Sequence, residues 1–223
     1  MNKLLLITLL ASAGIAHAQE REWITYKKFV ELIHSDRYYA LPQSERDKLD
    51  FYLTLEPVNK NLKAADMNLT VEHAGKRSAL PLDEQAHLRM APNQQWLAEG
   101  ATIMTTQPKG EKISIAYTLD AIVPDGTEWP YNKLMGSVAQ ANAARSKVAG
   151  MFGMFGYFTP AFKAVQLNFD QPAQLVIESK SGIKRFLSDA KNRIRLPADA
   201  AMLKENPIVT VSVRPLKAEL ETD

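Results

Sequence analysis

Cysteine is absent from all 223 residues, which removes disulfides, thiolate metal ligands and thiol nucleophiles together. Histidine is nearly as scarce, with four in the chain. Beyond His17 these are His34, His73 and His87, and none stands in His-x-His or His-x-x-x-His spacing, so a zinc site has little raw material. Neither sign of charge dominates: 27 Lys+Arg against 25 Asp+Glu leaves +2, too little to draw in nucleic acid or an anionic membrane from a distance. No Gly-x-Ser-x-Gly elbow, phosphate loop or His-Glu-x-x-His helix occurs. The expectation is a protein without catalytic residues, without metal and without cofactor.

Long apolar runs are also missing, save one at the start. In MNKLLLITLLASAGIAHAQE, Lys3 is the positive n-region, Leu4 to Ile15 the apolar h-region, and Ala16-His17-Ala18 the small-x-small cleavage site. The run is shorter than the roughly 20 apolar residues of a membrane anchor. The expectation is a Sec-type signal peptide over 1–18, cleaved after Ala18, and a periplasmic protein starting at Gln19. No cysteine follows the site, so lipid attachment is not expected. The remaining 205 residues (223 − 18) suffice for real cores, which must hold the fold without disulfides.

What is present is alternation. Tyr26, Phe29, Val30 and Ile33 fall at helical spacing behind Thr25, a good N-cap, and predict a short helix. From Leu49 the period becomes two: Leu49, Phe51, Leu53 and Leu55 alternate with Asp50, Tyr52, Thr54 and Glu56, as in a strand with one buried face. Leu134, Val138, Ala141, Arg145 and Val148 line one face of a second predicted helix.

Residues 69–106 and 175–212 align without a gap at an offset of 106 (175 − 69). Leu69/Leu175, Glu72/Glu178, Asp83/Asp189, Arg89/Arg195, Leu97/Leu203 and Glu99/Glu205 are identical, and Val71/Ile177, Leu80/Phe186, Leu88/Ile194, Met90/Leu196, Trp96/Met202 and Ile103/Val209 are apolar in both. Each copy reads as strand, glycine turn (Gly75; Gly182), strand, polar turn, short strand, short helix ending at Gly100 or Asn206, and closing strand. Short strands at roughly ten-residue spacing suggest sandwiches. The expected fold is mainly β: two tandem immunoglobulin-like or transthyretin-like units over 49–130 and 164–223. An N-terminal helical segment covers 19–48, and a helical, Gly/Met/Phe-rich connection covers 131–163.

That connection holds the chain's one compositional anomaly. Met151, Phe152, Met154, Phe155, Tyr157 and Phe158 stand among Gly150, Gly153 and Gly156. Soft or aromatic side chains on a permissive backbone form an adhesive surface, so these six are the candidate partner-binding residues. A core filling between the two units is the competing explanation. The matched Asp83/Asp189 pair reads as a turn former that accepts backbone bonds. The expected function is a non-enzymatic periplasmic binding or accessory protein that contacts another envelope protein, an assembly helper being one version. One alternative is a periplasmic hydrolase with a carboxylate site between the units, with Asp50, Glu56, Asp83 and Asp189 the first acids to inspect. Another is a protein that docks on a membrane surface through 151–158.

Overall fold

Strand β2 (Leu49–Pro57) follows the alternation in its sequence: Leu49, Phe51, Leu53 and Leu55 are buried. Along all nine residues it pairs antiparallel with β7 (Ile113–Ala121). In the computed structural model, which describes residues 20–148 and 160–222, these two strands are neighbouring interior members of a six-stranded antiparallel sheet. Its other members are β5 (His87–Leu88), β9 (Ala164–Asn168), β12 (Arg193–Pro197) and β14 (Lys217–Glu221), in the order β12-β9-β14-β7-β2-β5.

Two four-stranded antiparallel sheets complete the fold. One runs β1-β6-β3-β4, from β1 (Arg21–Thr25), β3 (Thr70–His73), β4 (Lys76–Ala79) and β6 (Thr102–Thr105). The other runs β8-β13-β10-β11, from β8 (Glu128–Pro130), β10 (Gln174–Ser179), β11 (Gly182–Leu187) and β13 (Ile208–Val211). The described residues thus form a mainly β protein of 14 strands in three sheets with few helices.

The repeat is visible in hydrogen-bond register. Val71 pairs with Ile103 and Ser78; 106 residues later Ile177 pairs with Val209 and Lys184. It also reaches beyond the aligned segments. Tyr26 and Tyr131 each open a helix, α1 (Tyr26–Ile33) and α4 (Tyr131–Lys147), directly after β1 and β8. Their N–H groups donate to Ala101 O and Pro207 O, both at 2.8 Å. Leu53 pairs with Leu88 on one side and Tyr117 on the other, as Leu167 does with Ile194 and Ala218. The six-stranded sheet therefore has a pseudo-twofold centre between β7 and β14, which meet at Ala121–Ala218 and Asp120–Glu219.

Each half has its own apolar core. Tyr26, Phe29, Val30 and Ile33 of α1 pack with Leu53 and Leu55 of β2 and with Val71 and Ile103. Leu134, Met135 and Val138 of α4 pack with Leu167, Leu175, Ile177 and Val209. Thr25 caps α1 by accepting from Lys28 N–H at 3.3 Å. His34, at φ 48°, ends α1, and α2 (Ser35–Tyr39) turns away. The counterpart α4 runs unbroken for 17 residues. Ala141 and Ala144 of its far half, and Val148 just past its end, enter the first core. Gln140 anchors it there, accepting from Lys48 N–H at 3.0 Å and donating to Ser44 O at 3.0 Å. A helix expected inside a connection is a core element shared by both halves. One sheet likewise runs through both halves where two separate sandwiches were expected.

Two further helices, α3 (Gln94–Ala98) and α5 (Ala200–Glu205), are capped by Asn93 and Asp199 and followed by left-handed Gly100 (φ 72°) and Asn206 (φ 55°). Those are the stop residues that the sequence predicts. No helix among the described residues is long and apolar enough to cross a membrane.

Candidate functional site

The sheet face turned away from the cores is polar. Strand alternation puts Asp50 and Tyr52 of β2, Thr118 and Asp120 of β7, and Lys217, Glu219 and Glu221 of β14 on it together. Gln166 and Asn168 of β9 and Arg193 and Arg195 of β12 join them. Register sets Asp50 opposite Asp120, Asp120 opposite Glu219, Glu219 opposite Gln166, and Gln166 opposite Arg195. Three carboxylates are consecutive in that row and straddle the pseudo-twofold centre. Like charges directly opposite one another destabilise a sheet unless cations intervene.

Arg89 and Lys217 are those cations. Arg89 holds Asp50 with two nitrogens, Nε–Oδ1 at 2.9 Å and Nη2–Oδ2 at 3.0 Å, and reaches Asp83 Oδ2 through Nη1 at 2.6 Å. Its guanidinium lies 4.5 Å from the centre of the Tyr52 ring. Beneath it the Tyr52 hydroxyl donates to Asp120 Oδ2 at 2.9 Å. Lys217 Nζ stands 3.4 Å from that oxygen and donates to Glu219 Oε1 at 2.7 Å. Glu219 Oε2 accepts from Gln166 and Asn168, both at 3.0 Å. At the end of the row Arg195 Nε donates to Glu221 Oε2 at 2.9 Å.

Burial separates the acids chemically. Desolvation raises the Asp120 carboxyl above its ordinary value although Tyr52 and Lys217 favour its charged form. Tyr52 is raised as well, by burial and by its bond to Asp120. At Glu219 desolvation is outweighed by Lys217 and the two amides, so that acid is lowered. The row holds a protonation-prone acid next to a firmly ionised one. A cleft of about 610 Å³ opens over it, walled by Tyr52, His87, Arg89, Asp120, Arg214 and Lys217. Ile122 and Leu216 at its rim are exposed. The His87 ring stacks 4.2 Å from Tyr52 with Nδ1 at 3.2 Å from Asp83 Oδ2.

Of the four acids singled out from the sequence, Asp50 and Asp83 meet, on Arg89. Glu56 is exposed and pairs with Lys60 at 3.6 Å. Asp189 lies in the second half, paired with Arg193 at 2.7 Å. Asp83 and Asp189 do the same turn work: Oδ1 of each accepts two N–H groups, from Gln85 and His87 or from Lys191 and Arg193. Tyr52, Asp120, Lys217 and Glu219 went unnoticed in the sequence. Tyr52 occupies the polar phase of β2 yet is buried, because Arg89 and His87 cover it. An aromatic residue out of phase was the available signal. The six candidate partner-binding residues, Met151, Phe152, Met154, Phe155, Tyr157 and Phe158, lie outside the described residues, as does the segment read as a signal peptide.

A second surface lies at a sheet edge. Among the described residues, strand β11 has no partner beyond β10. Ser188 N–H donates to Ala173 O at 2.9 Å, so even-numbered residues face β10 and Ile183, Arg185 and Leu187 aim their backbone groups outward. Ile183 is 53% and Leu187 75% exposed. In the first half the equivalent positions, 106 residues earlier, are Arg77, Ala79 and Pro81. Arg77 is ion-paired to Glu20 and Glu72, and Pro81 has no N–H to offer. One edge is blunted and its counterpart is not.

The chain belongs to the family described as a protein of unknown function (DUF2987), which matches residues 18–169. The match covers the whole first half and the second as far as the end of β9. No curated protein and no solved structure matches the chain.

Proposed function

We propose that this is an exported, non-enzymatic protein of the periplasm that binds another envelope protein by accepting an extended segment of it along β11. The observation that carries the reading is the open β11 edge, with Ile183 and Leu187 exposed where the first half has Arg77 and Pro81. An unpaired edge offers main-chain hydrogen bonds for affinity and alternate side chains for selectivity. Export rests on the signal-like 1–18, and the assembly-helper version on compartment and fold type. The two halves are further proposed to be related immunoglobulin-like or transthyretin-like units. Matched registers and two cores favour related units; a shared sheet and helices inside the cores are features that a free-standing sandwich lacks.

The test is photocrosslinking in intact cells with the reactive side chain at Ile183, and at Arg77 as the blunted control. A discrete adduct is expected from Ile183 and none from Arg77. Leu187→Pro copies Pro81 and removes an outward N–H without breaking a bond to β10, so it should abolish the adduct in a protein that still folds. No adduct at Ile183, or one that survives Leu187→Pro, overturns the reading. Fractionation with N-terminal sequencing tests export, with Gln19 expected first.

The carboxylate row favours a second reading, a hydrolase working in the cleft between the halves. Asp120, raised by burial, has the character of a general acid, and Asp50, held by Arg89, stands opposite it in the sheet. Asp120→Asn would then abolish turnover in a glycoside and ester substrate screen while leaving the fold intact.

A further inference from the structure

Assuming that β11 is the docking edge, we infer that its partner is an extended segment of another protein with an acidic residue between two apolar ones, in the order apolar-x-acidic-x-apolar. Three residues present both outward backbone groups and outer-face side chains to an added strand: Ile183, Arg185 and Leu187, an apolar-cation-apolar triplet. Arg185 has no ion-pair partner among the described residues, whereas its neighbour Lys184 is 3.4 Å from Asp199. A strand added at this edge places every second side chain on the same face as the triplet. A carboxylate opposite Arg185 completes a cross-strand ion pair, and apolar residues on either side cover Ile183 and Leu187. The cover extends inward, since Ile208 of β13 is 42% exposed on the same outer face, across Glu178 from Ile183.

Charge argues against a second copy of the chain as occupant. The antiparallel register that pairs the outward-facing residues with one another, Ile183 with Leu187, sets Arg185 directly against Arg185 of the other molecule, and like charges opposite one another oppose pairing. The first half shows why the site is single. At the position of Arg185 it has Ala79, and the flanking Arg77 and Pro81 give neither an apolar contact nor a complete ladder.

The probes are three capped, fluorescently labelled peptides, Val-Thr-Glu-Thr-Val, Val-Thr-Lys-Thr-Val and Ser-Thr-Glu-Thr-Ser, titrated against the purified protein by polarisation. The first is expected to bind at least about fivefold more tightly than each of the others, and Arg185→Glu to reverse the order of the first two. The Ile183 crosslink separates the partner's chemistry from the docking edge itself. If the cellular adduct forms but the acidic and basic peptides bind equally, the partner chemistry is wrong and the docking edge stands. If the adduct is absent, the docking edge itself is wrong. Sedimentation of a dimer that Leu187→Pro dissociates would overturn the inference in favour of self-pairing.

Discussion

Tyr26 and Tyr131 perform one task in two places: each is fully buried at the head of a helix, and its hydroxyl accepts the N–H of a helix-cap residue. Asn93 donates to Tyr26 at 3.0 Å and Asp199 to Tyr131 at 3.2 Å. The Tyr131 hydroxyl also donates to Pro197 O at 3.2 Å. Each ring ties its β-α entry to the cap of the short helix that closes the same half, and burial keeps both phenols protonated, Tyr131 being pushed up to about 12.

Removing either hydroxyl leaves a cap N–H without its acceptor, so Tyr26→Phe is expected to cost about 1–2 kcal/mol of stability. Tyr131→Phe should cost more, because Pro197 O loses a donor as well. Urea unfolding of the two variants measures both, and the order Tyr131→Phe above Tyr26→Phe is the informative part.

Asp120 should make the protein less stable as pH rises. Its folded-state pKa is raised, so between the ordinary value of 3.8 and the raised one the folded chain binds more protons than the unfolded chain, and stability falls as pH climbs through that window. Asp120→Asn keeps an acceptor for Tyr52 and cannot ionise. The stability of this variant minus that of the wild type is therefore expected to rise with pH over that range and then level off. A flat difference would remove Asp120 as the cause.

Asp189 has the opposite sign. Arg193 chiefly, together with two backbone N–H groups, holds its carboxyl down to about 2 against slight desolvation. Its contribution is complete above 3.8 and disappears as the pH falls toward 2. An NMR titration of the side-chain carboxyl carbon should place its midpoint well below that of a surface aspartate, and Arg193→Ala should bring it back.

The β3–β4 turn stores a correctable strain. Ala74 (φ 49°) and Gly75 (φ 71°) both have positive φ, as a type I′ turn demands, and alanine resists that conformation. Ala74→Asn makes the favoured Asn-Gly pair at an exposed position and should stabilise by about 0.5–1 kcal/mol, read as a higher urea midpoint with an unchanged slope.

Much of the first half could be read directly. Four apolar residues at helical spacing behind Thr25 became the buried face of α1, and the alternation from Leu49 became β2, because local periodicity and burial agree there. The polar row was harder to see. Asp50, Asp120 and Glu219 are separated by 70 and 99 residues (120 − 50; 219 − 120), and nothing local to any of them announces the others. The ungapped alignment also stopped short of the repeat's real extent. Tyr26 matches Tyr131 at an offset of 105 (131 − 26), Leu53 matches Leu167 at 114 (167 − 53), and Tyr117 matches Ala218 at 101 (218 − 117). Loops of different length shift the frame between strands that remain equivalent in space.

The sequence by itself determined the mainly β character, the duplicated order of strands and caps, and the turn role of Asp83 and Asp189. Each of these depends on residues a few positions apart, whose backbone preferences act before any long-range contact forms. Only the tertiary structure decided that the two halves share one sheet, that α4 belongs to both cores, and that three carboxylates meet at the seam. It also decided that β11, and not its twin β4, is left as an open edge with apolar side chains exposed. Those outcomes depend on which strands become neighbours, and pairing across such distances is chosen by the burial of whole faces, which no single segment encodes.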